Sequence, residues 1–226
     1  MVNRRHPRTR PIVFPLALLA PLLAALPAVA AEVRAFAVCV DDRPAGSYQL
    51  TVSEEKDGRV IMSAQADVRV RLALFSYTYS YRGREVWQND RLQSVEATAN
   101  DNGKQTVLSA VVQDNTAKIT VNGKPHSARA CQWTSTYWRL PLLPEGARAV
   151  ALLDVDTGAV VEGRLQLVET VTLEVGGKAL RCRHYRVGGP LQADLWFDDA
   201  GRLVQQDSVE DGHRYRLKLT GTRAGR

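Results

Sequence analysis

The sequence has few of the residues that usually build a catalytic or metal centre. Its 226 residues include three cysteines and four histidines. It contains no Gly-x-Ser-x-Gly, His-Glu-x-x-His, P-loop or dinucleotide-binding motif. Cys182 and His184 share one face of a predicted strand, but one such pair is only half of a zinc site. The sequence therefore predicts no catalytic residue, no metal and no cofactor, although an enzyme built from scattered carboxylates is kept as an alternative.

Stretches with apolar residues at helical spacing are also lacking. Apolar residues instead recur at every second position, which is the spacing of a β-strand. Within 59–74, for example, the even positions form an apolar row that begins with Val60, Met62, Ala64 and Ala66. Segments rich in Asp, Asn and Gly separate such runs, because these residues tolerate the positive φ of tight hairpins. They lie at 41–46, 57–58, 101–103, 122–123, 176–177, 198–201 and 211–212.

This pattern predicts an all-β fold. We expect about a dozen consecutive antiparallel strands, more than an open flat sheet usually holds. A single sheet of that size must curl into a half-barrel, a barrel or two packed layers. The segment 127–146 breaks the regularity, and we expect it to form an irregular crossover with one helical turn at 134–138.

Positive charge is concentrated near the N-terminus. Residues 1–31 contain four arginines and no acid, whereas the rest of the chain has 26 basic and 24 acidic side chains. A nucleic-acid-binding domain needs a net basic surface, so we expect no nucleic-acid partner.

The same N-terminal segment has the features of a secretory signal. Its arginines precede an uncharged stretch at 11–31, and Ala28-Val29-Ala30 supplies the small residues that signal peptidase recognises. We expect cleavage after Ala30 or Ala31, a single domain at 32–226 and a periplasmic location, with full secretion as an alternative. An uncleaved anchor is the competing interpretation, but Pro15, Pro21 and Pro27 interrupt the stretch. No later segment is predicted to span a membrane.

The three cysteines would lie in an oxidising compartment, where one disulfide and one free thiol are expected. The sequence permits three pairings. We favour Cys131–Cys182, which would tie the crossover to the late strands, and expect Cys39 to be a buried strand residue.

One strand has an aromatic row at exact spacing two, which places Phe75, Tyr77, Tyr79 and Tyr81 on the same face. The row fits the wall of a cavity for a lipid or another hydrophobic ligand. It fits better an ordinary strand packed on the core, because Tyr suits half-buried positions. For the first interpretation the candidate wall residues are Tyr77, Tyr79, Tyr81, Trp87 and Trp138. The alternative function is that of a structural or interaction module of the cell envelope that binds another protein.

Five segments together resemble an uncharacterised family of exported proteobacterial proteins with a domain of unknown function: 131–138, 152–158, 184–187, 194–197 and 211–217. The resemblance spans nearly the whole chain after the leader. It implies an exported antiparallel β protein and no established activity. The strand layout also resembles the curled half-barrels of periplasmic lipoprotein carriers, but fold does not fix function.

Overall fold

The computed structural model describes residues 31–72, 75–143, 148–210 and 212–225. The expected signal peptide, apart from Ala31, lies outside the described residues. None of the described residues belongs to a helix with the length and hydropathy needed to cross a bilayer.

The described residues form one 15-stranded sheet, which confirms the predicted all-β fold. Its strands are β1 (Ala31–Val40), β2 (Arg43–Glu54), β3 (Arg59–Leu72), β4 (Phe75–Gln88), β5 (Arg91–Asp101), β6 (Lys104–Gln113), β7 (Thr116–Val121), β8 (Lys124–Arg129), β9 (Trp133–Thr134), β10 (Ala149–Leu153), β11 (Val160–Val175), β12 (Lys178–Gly188), β13 (Ala193–Asp198), β14 (Leu203–Glu210) and β15 (His213–Ala224).

The strand order follows the chain in two runs that meet where β1 pairs with β15. One run ends at the edge strand β8 and the other at the edge strand β9. Among the described strands, β9 and β10 pair in parallel, and the other neighbours are antiparallel. The sheet is therefore a meander that curls without closing.

The predicted hairpin turns use the residues that their backbone requires. Asp41, Asn102 and Asn122 have φ near 50°, in the left-handed region that Asp and Asn tolerate. Two further turns, at Asn89-Asp90 and Asp114-Asn115, have the same conformation but were not among the predicted turns.

Small side chains on the inner face allow the sheet to curl around a narrow core. Ala64 and Ala97 flank Gly83 in the paired strands β3, β4 and β5. A Cβ at Gly83 would lie 2.1 Å from the Tyr81 hydroxyl oxygen. The missing side chain at Gly83 therefore provides the space in which the Tyr81 phenol lies.

The segment between β8 and β10 fills much of this curled interior. Trp133 is fully buried and packs edge-on against Tyr137, with 4.9 Å between ring centroids. The expected helical turn at 134–138 is wrong: the Ser135 amide donates to Leu153 O (2.9 Å), so the segment pairs with β10 instead. A tight turn follows, in which Tyr137 has φ 48°.

The two ends of the sheet approach each other across a seam. Arg129 of β8 forms an ion pair with Glu162 of β11. A ring nitrogen of His126, also in β8, lies 3.3 Å from the carbonyl oxygen of Gly158 in the β10–β11 turn. This turn therefore docks against the first run of strands and covers one end of the core.

The docking of this turn depends on a glycine. Gly158 has φ +76°, and a Cβ there would lie 2.3 Å from Val121 Cγ2. Gly123 has nearly the same φ, +77°, but open space around it. We expect Gly158→Ala to lower the free energy of unfolding by about 1–3 kcal/mol more than Gly123→Ala, because it adds overpacking to backbone strain. Urea denaturation of both variants measures the difference, and equal losses would contradict the docked turn.

Candidate functional site

The aromatic row of β4 descends from the sheet margin into the core. Tyr77 and Tyr79 are partly exposed, whereas Tyr81 is only 4% exposed. Their cross-strand neighbours on β3 are Val70, Val68 and Ala66, in that order. Because residues at spacing two lie about 6.6 Å apart, the row extends over roughly 13 Å.

These three tyrosines line a cavity of about 170 Å³, which we call the tyrosine cavity. Strands from both runs of the sheet and the crossover contribute to its wall. The apolar part of the wall is Val38, Ala66, Val68, Val155 and Leu217. The polar part adds Tyr48, Ser135, Thr136, Asp156, Gln206, Ser208, Glu210 and Tyr215 to the three tyrosines of β4.

Two hydroxyl groups of this wall are buried without a partner. The hydroxyls of Tyr48 and Tyr81 make no hydrogen bond to any described residue. Both side chains are more than nine-tenths buried, and burial raises the pKa of each phenol, which therefore stays neutral. An unsatisfied buried polar group costs about 1–3 kcal/mol, so two of them at one cavity are unusual.

A carboxyl group lies midway along the row. The Tyr79 hydroxyl donates to Asp156 Oδ1 (2.7 Å). The pKa of Asp156 is raised to about 6, chiefly by burial and also by the negative charges of Asp154 and Glu210. The hydrogen bond from Tyr79 acts in the opposite direction. The cavity therefore contains a carboxyl group that titrates near neutral pH.

Beyond Asp156 the tyrosine cavity adjoins a wider cleft of about 700 Å³. The two spaces share Ser135, Asp156, Gln206, Ser208 and Glu210. The cleft wall contains more acidic than basic side chains, namely Asp154, Asp156, Asp194, Asp207 and Glu210 against Arg186 and Arg214. A solute that enters the tyrosine cavity from this side would pass an acidic surface.

The other two predicted wall residues, Trp87 and Trp138, lie outside the cavity wall. Their indole nitrogens both donate to Glu85 Oε2, at 2.8 and 3.0 Å. The Thr136 hydroxyl donates to Glu85 Oε1 (2.7 Å). Glu85 is fully buried, and burial raises its pKa while these hydrogen bonds lower it. The two tryptophans therefore bind a buried carboxyl group of β4.

Two arginines hold the crossover around this carboxyl group. The Arg139 guanidinium stacks on the rings of Trp87 and Trp138, 4.5 and 5.0 Å from the centroids. The buried Arg34 of β1 donates to the carbonyl oxygen of Trp138 (3.0 Å). Thr136 belongs to both the Glu85 network and the cavity wall, so this network positions one side of the tyrosine cavity.

The predicted Cys131–Cys182 disulfide is absent, and all three cysteines carry free thiols. Cys39 lies in β1 as expected but is only partly buried. The strand register gives the reason for the absence of the disulfide. The backbone N–H of Gln132, the residue after Cys131, donates to the carbonyl oxygen of Ala151, and Ala151 pairs with Glu162 of β11. Cys182, in contrast, pairs with Val171 of β11. Along β11 these two levels are on the order of 30 Å apart, and bonded cysteines need Cα atoms within about 7 Å. Burial also raises the pKa of both thiols to about 11.

Cys182 and His184 do not act together either. The Cys182 thiol donates to the carbonyl oxygen of Leu180 (3.6 Å). The His184 ring stacks on Trp196 with 4.3 Å between centroids, and its Nε2 lies 2.7 Å from Asp194 Oδ1. In the part of the chain that the structure describes, no three ligand-type side chains converge to hold a metal ion.

Sequence reasoning missed Glu85, Asp156 and Tyr48. A signal for Glu85 was present, because continuing the period of two beyond Tyr81 places Glu85 on the inner face. An acid at an inward position must find hydrogen-bond donors. Asp156 gave no such signal, because it lies in a turn and reaches Tyr79 only through the tertiary fold.

The family model of the domain of unknown function DUF6134 matches residues 36–220, most of the chain and all the residues of the tyrosine cavity. The chain belongs to the DUF6134 family. Among curated proteins, none matches it.

A solved structure supports the fold. The DUF6134 chain is similar to a beta-barrel-like protein of the domain of unknown function DUF1849 from Brucella abortus, with a TM-score of 0.62. The likeness covers 87% of this chain and 98% of the other, at 8% sequence identity. At that identity it establishes a shared fold and transfers no site.

The Glu85 network predicts different effects of two substitutions. In Glu85→Gln the amide oxygen can still accept from both indoles and the amide nitrogen can donate to Thr136, so we expect a loss of about 1 kcal/mol or less. Glu85→Leu leaves the two buried indole N–H groups unpaired and removes one of the two hydrogen-bond partners of the Thr136 hydroxyl, and we expect it to cost about 3–5 kcal/mol. Chemical denaturation, analysed with one m value for all variants, measures the change in the free energy of unfolding for both substitutions. Equal losses would mean that the negative charge, rather than the hydrogen bonds, holds the crossover.

Asp156 predicts a pH dependence of stability. Its folded-state pKa, about 6, exceeds the ordinary 3.8, so folding favours the protonated form and stability falls as pH rises from about 4 to 6. Asp156→Asn keeps an acceptor for Tyr79 and cannot ionise. We expect it to be about 1–3 kcal/mol more stable than the parent at pH 7 and equal to it near pH 3.5.

Thermal or urea denaturation across this pH range tests the expectation. Asp114→Asn, in the exposed β6–β7 turn, is the matched control and should follow the parent. An Asp156→Asn variant whose stability follows the parent at every pH would contradict the raised pKa.

Proposed function

We propose that this DUF6134 protein is an exported, non-catalytic binding protein that holds a small ligand in the tyrosine cavity. The observation that carries the proposal is the pair of buried phenol hydroxyls, Tyr48 and Tyr81, that lack a partner at a cavity. A folded protein rarely leaves such groups unsatisfied, and a bound molecule would satisfy them.

The volume favours a ligand of ring size over a whole lipid. An apolar cavity of about 150 Å³ accommodates a benzene molecule. The tyrosine cavity, at about 170 Å³, is of that order. We therefore narrow the expectation of a lipid or other hydrophobic ligand to a compound with a single ring or a short apolar chain.

The wall supports the same choice. Val38, Val68 and Leu217 supply apolar surface, and the tyrosines supply ring faces with polar tips. Binding sites for small molecules combine such apolar surface with a few fixed polar groups.

Export is part of the proposal, because the leader has the composition of a signal peptide. A carrier or sensor of small molecules in the periplasm would meet its ligand there. The cleaved chain would begin at Ala31 or Glu32, which are the first residues of β1.

Native mass spectrometry of protein recovered gently from the periplasm of an expressing bacterium tests both parts. We expect the mass of a chain that begins at Ala31 or Glu32, together with a ligand increment smaller than a membrane lipid that is lost on denaturation. In Ala66→Phe the new ring lies between Tyr48 and Tyr81 in the strand register, so we expect the increment to be absent.

The control is Val111→Phe, which adds the same ring at an exposed position of β6 and should keep the increment. Retention of the leader would contradict export. The same ligand occupancy in Ala66→Phe and the parent would contradict binding in the tyrosine cavity.

A further inference from the structure

We propose that the ligand of the tyrosine cavity is a small organic cation, an ammonium group carried on a single ring, with Asp156 as its counter-ion. This inference rests on the proposed function and adds the charge and shape of the ligand. It follows from a comparison of the acidic groups near the cavity: several have cationic partners, whereas Asp156 has none among the described residues.

Asp156 has no cationic partner among the described residues. Its carboxyl group accepts one hydrogen bond, from Tyr79 at 2.7 Å, and no lysine, arginine or histidine forms an ion pair with it. A carboxylate that is largely buried without a cation is costly, because desolvation is not offset.

The positive side chains of the adjoining cleft are already paired with other acids. Arg186 binds Asp194 (3.0 Å), and Arg214 lies 3.6 Å from Asp42. Asp207 is bound by Arg216, which donates to it at 2.7 Å. No arginine that lines the cleft is therefore left to neutralise Asp156, and a cation from solution would do so.

The local charge and the ring faces favour such a cation. Asp154 and Glu210 line the cleft beside Asp156, so the potential at the cavity mouth is negative. Tyr77 and Tyr79 line the same space, and aromatic rings attract ammonium groups. An anionic ligand would meet repulsion at this mouth and leave Asp156 without a partner.

The tyrosines with unpartnered hydroxyls indicate a second feature of the ligand. Tyr48 and Tyr81 line the cavity and their buried hydroxyls have no partner, so a hydroxyl or another polar substituent of the ligand that reached them would bond to them. Asp156 bonds to Tyr79, which is adjacent to Tyr81 on the inner face at about 6.6 Å along the strand. Asp156 and the two tyrosines with unpartnered hydroxyls line the same cavity, so a ligand held there would lie beside both.

Three probes of one shape and different charge test the inference by isothermal titration calorimetry. They are tyramine, which is cationic, 4-ethylphenol, which is neutral, and 4-hydroxyphenylacetate, which is anionic. We expect tyramine to bind at least tenfold more tightly than 4-ethylphenol, and 4-hydroxyphenylacetate to bind most weakly of the three.

Asp156→Asn tests the counter-ion directly. It keeps the acceptor for Tyr79, so we expect it to fold, to bind tyramine only within threefold of 4-ethylphenol, and to bind 4-ethylphenol as the parent does. The exposed control Asp114→Asn should keep the full preference for tyramine. If Asp156→Asn does not fold, the order of the three probes on the parent protein decides the inference.

The outcomes separate the two proposals. Binding of 4-ethylphenol as tight as that of tyramine, or tighter binding of the anion, would overturn the cation and leave a ring-sized ligand in place. A preference for tyramine that survives in Asp156→Asn would overturn the role of Asp156. Failure of all three probes to bind would overturn both the cation and the ring-sized ligand.

Discussion

The fold depends on the need to satisfy one buried carboxyl group. Glu85 lies near the C-terminal end of β4 with no exposure, and its hydrogen-bond donors come from β4 itself and from the crossover, through Trp87, Thr136 and Trp138. A buried acid without donors would cost several kcal/mol, so the sheet is stable only when the crossover lies inside it. The crossover, which has the least regular sequence pattern, therefore determines how the interior of the sheet is packed.

The same constraint divides the interior into a filled part and a hollow part. On the side of Trp87, the crossover contributes Trp133 and Trp138 and packs the core tightly. Towards Tyr77 the crossover turns away after Thr136, and small residues such as Ala66 leave the tyrosine cavity open. Because Thr136 contacts both Glu85 and the cavity, the position of the cavity wall is set by the buried network and not by the tyrosines alone.

The sequence predicts the sheet better than the site, for a physical reason. Alternation and turn chemistry act locally, so the strands, the hairpins and the common face of Tyr77, Tyr79 and Tyr81 could be predicted from neighbouring residues. The partners of Glu85 and Asp156 could not, because Thr136 and Tyr79 reach them from 51 and 77 residues away. The disulfide expectation failed similarly: compartment and cysteine count suggested a bond that the strand register separates.

The tyrosine cavity combines features that reduce the stability of the free protein. Two phenol hydroxyls are unpaired, and the pKa of Asp156 is raised by burial and by the negative charges around it. Each feature breaks a general rule of protein interiors, and such exceptions concentrate where a protein binds something. A ligand that satisfied all three groups would bind only the folded state and would stabilise it in proportion to its occupancy. The cost of the empty cavity and the affinity for its ligand would then have the same physical origin.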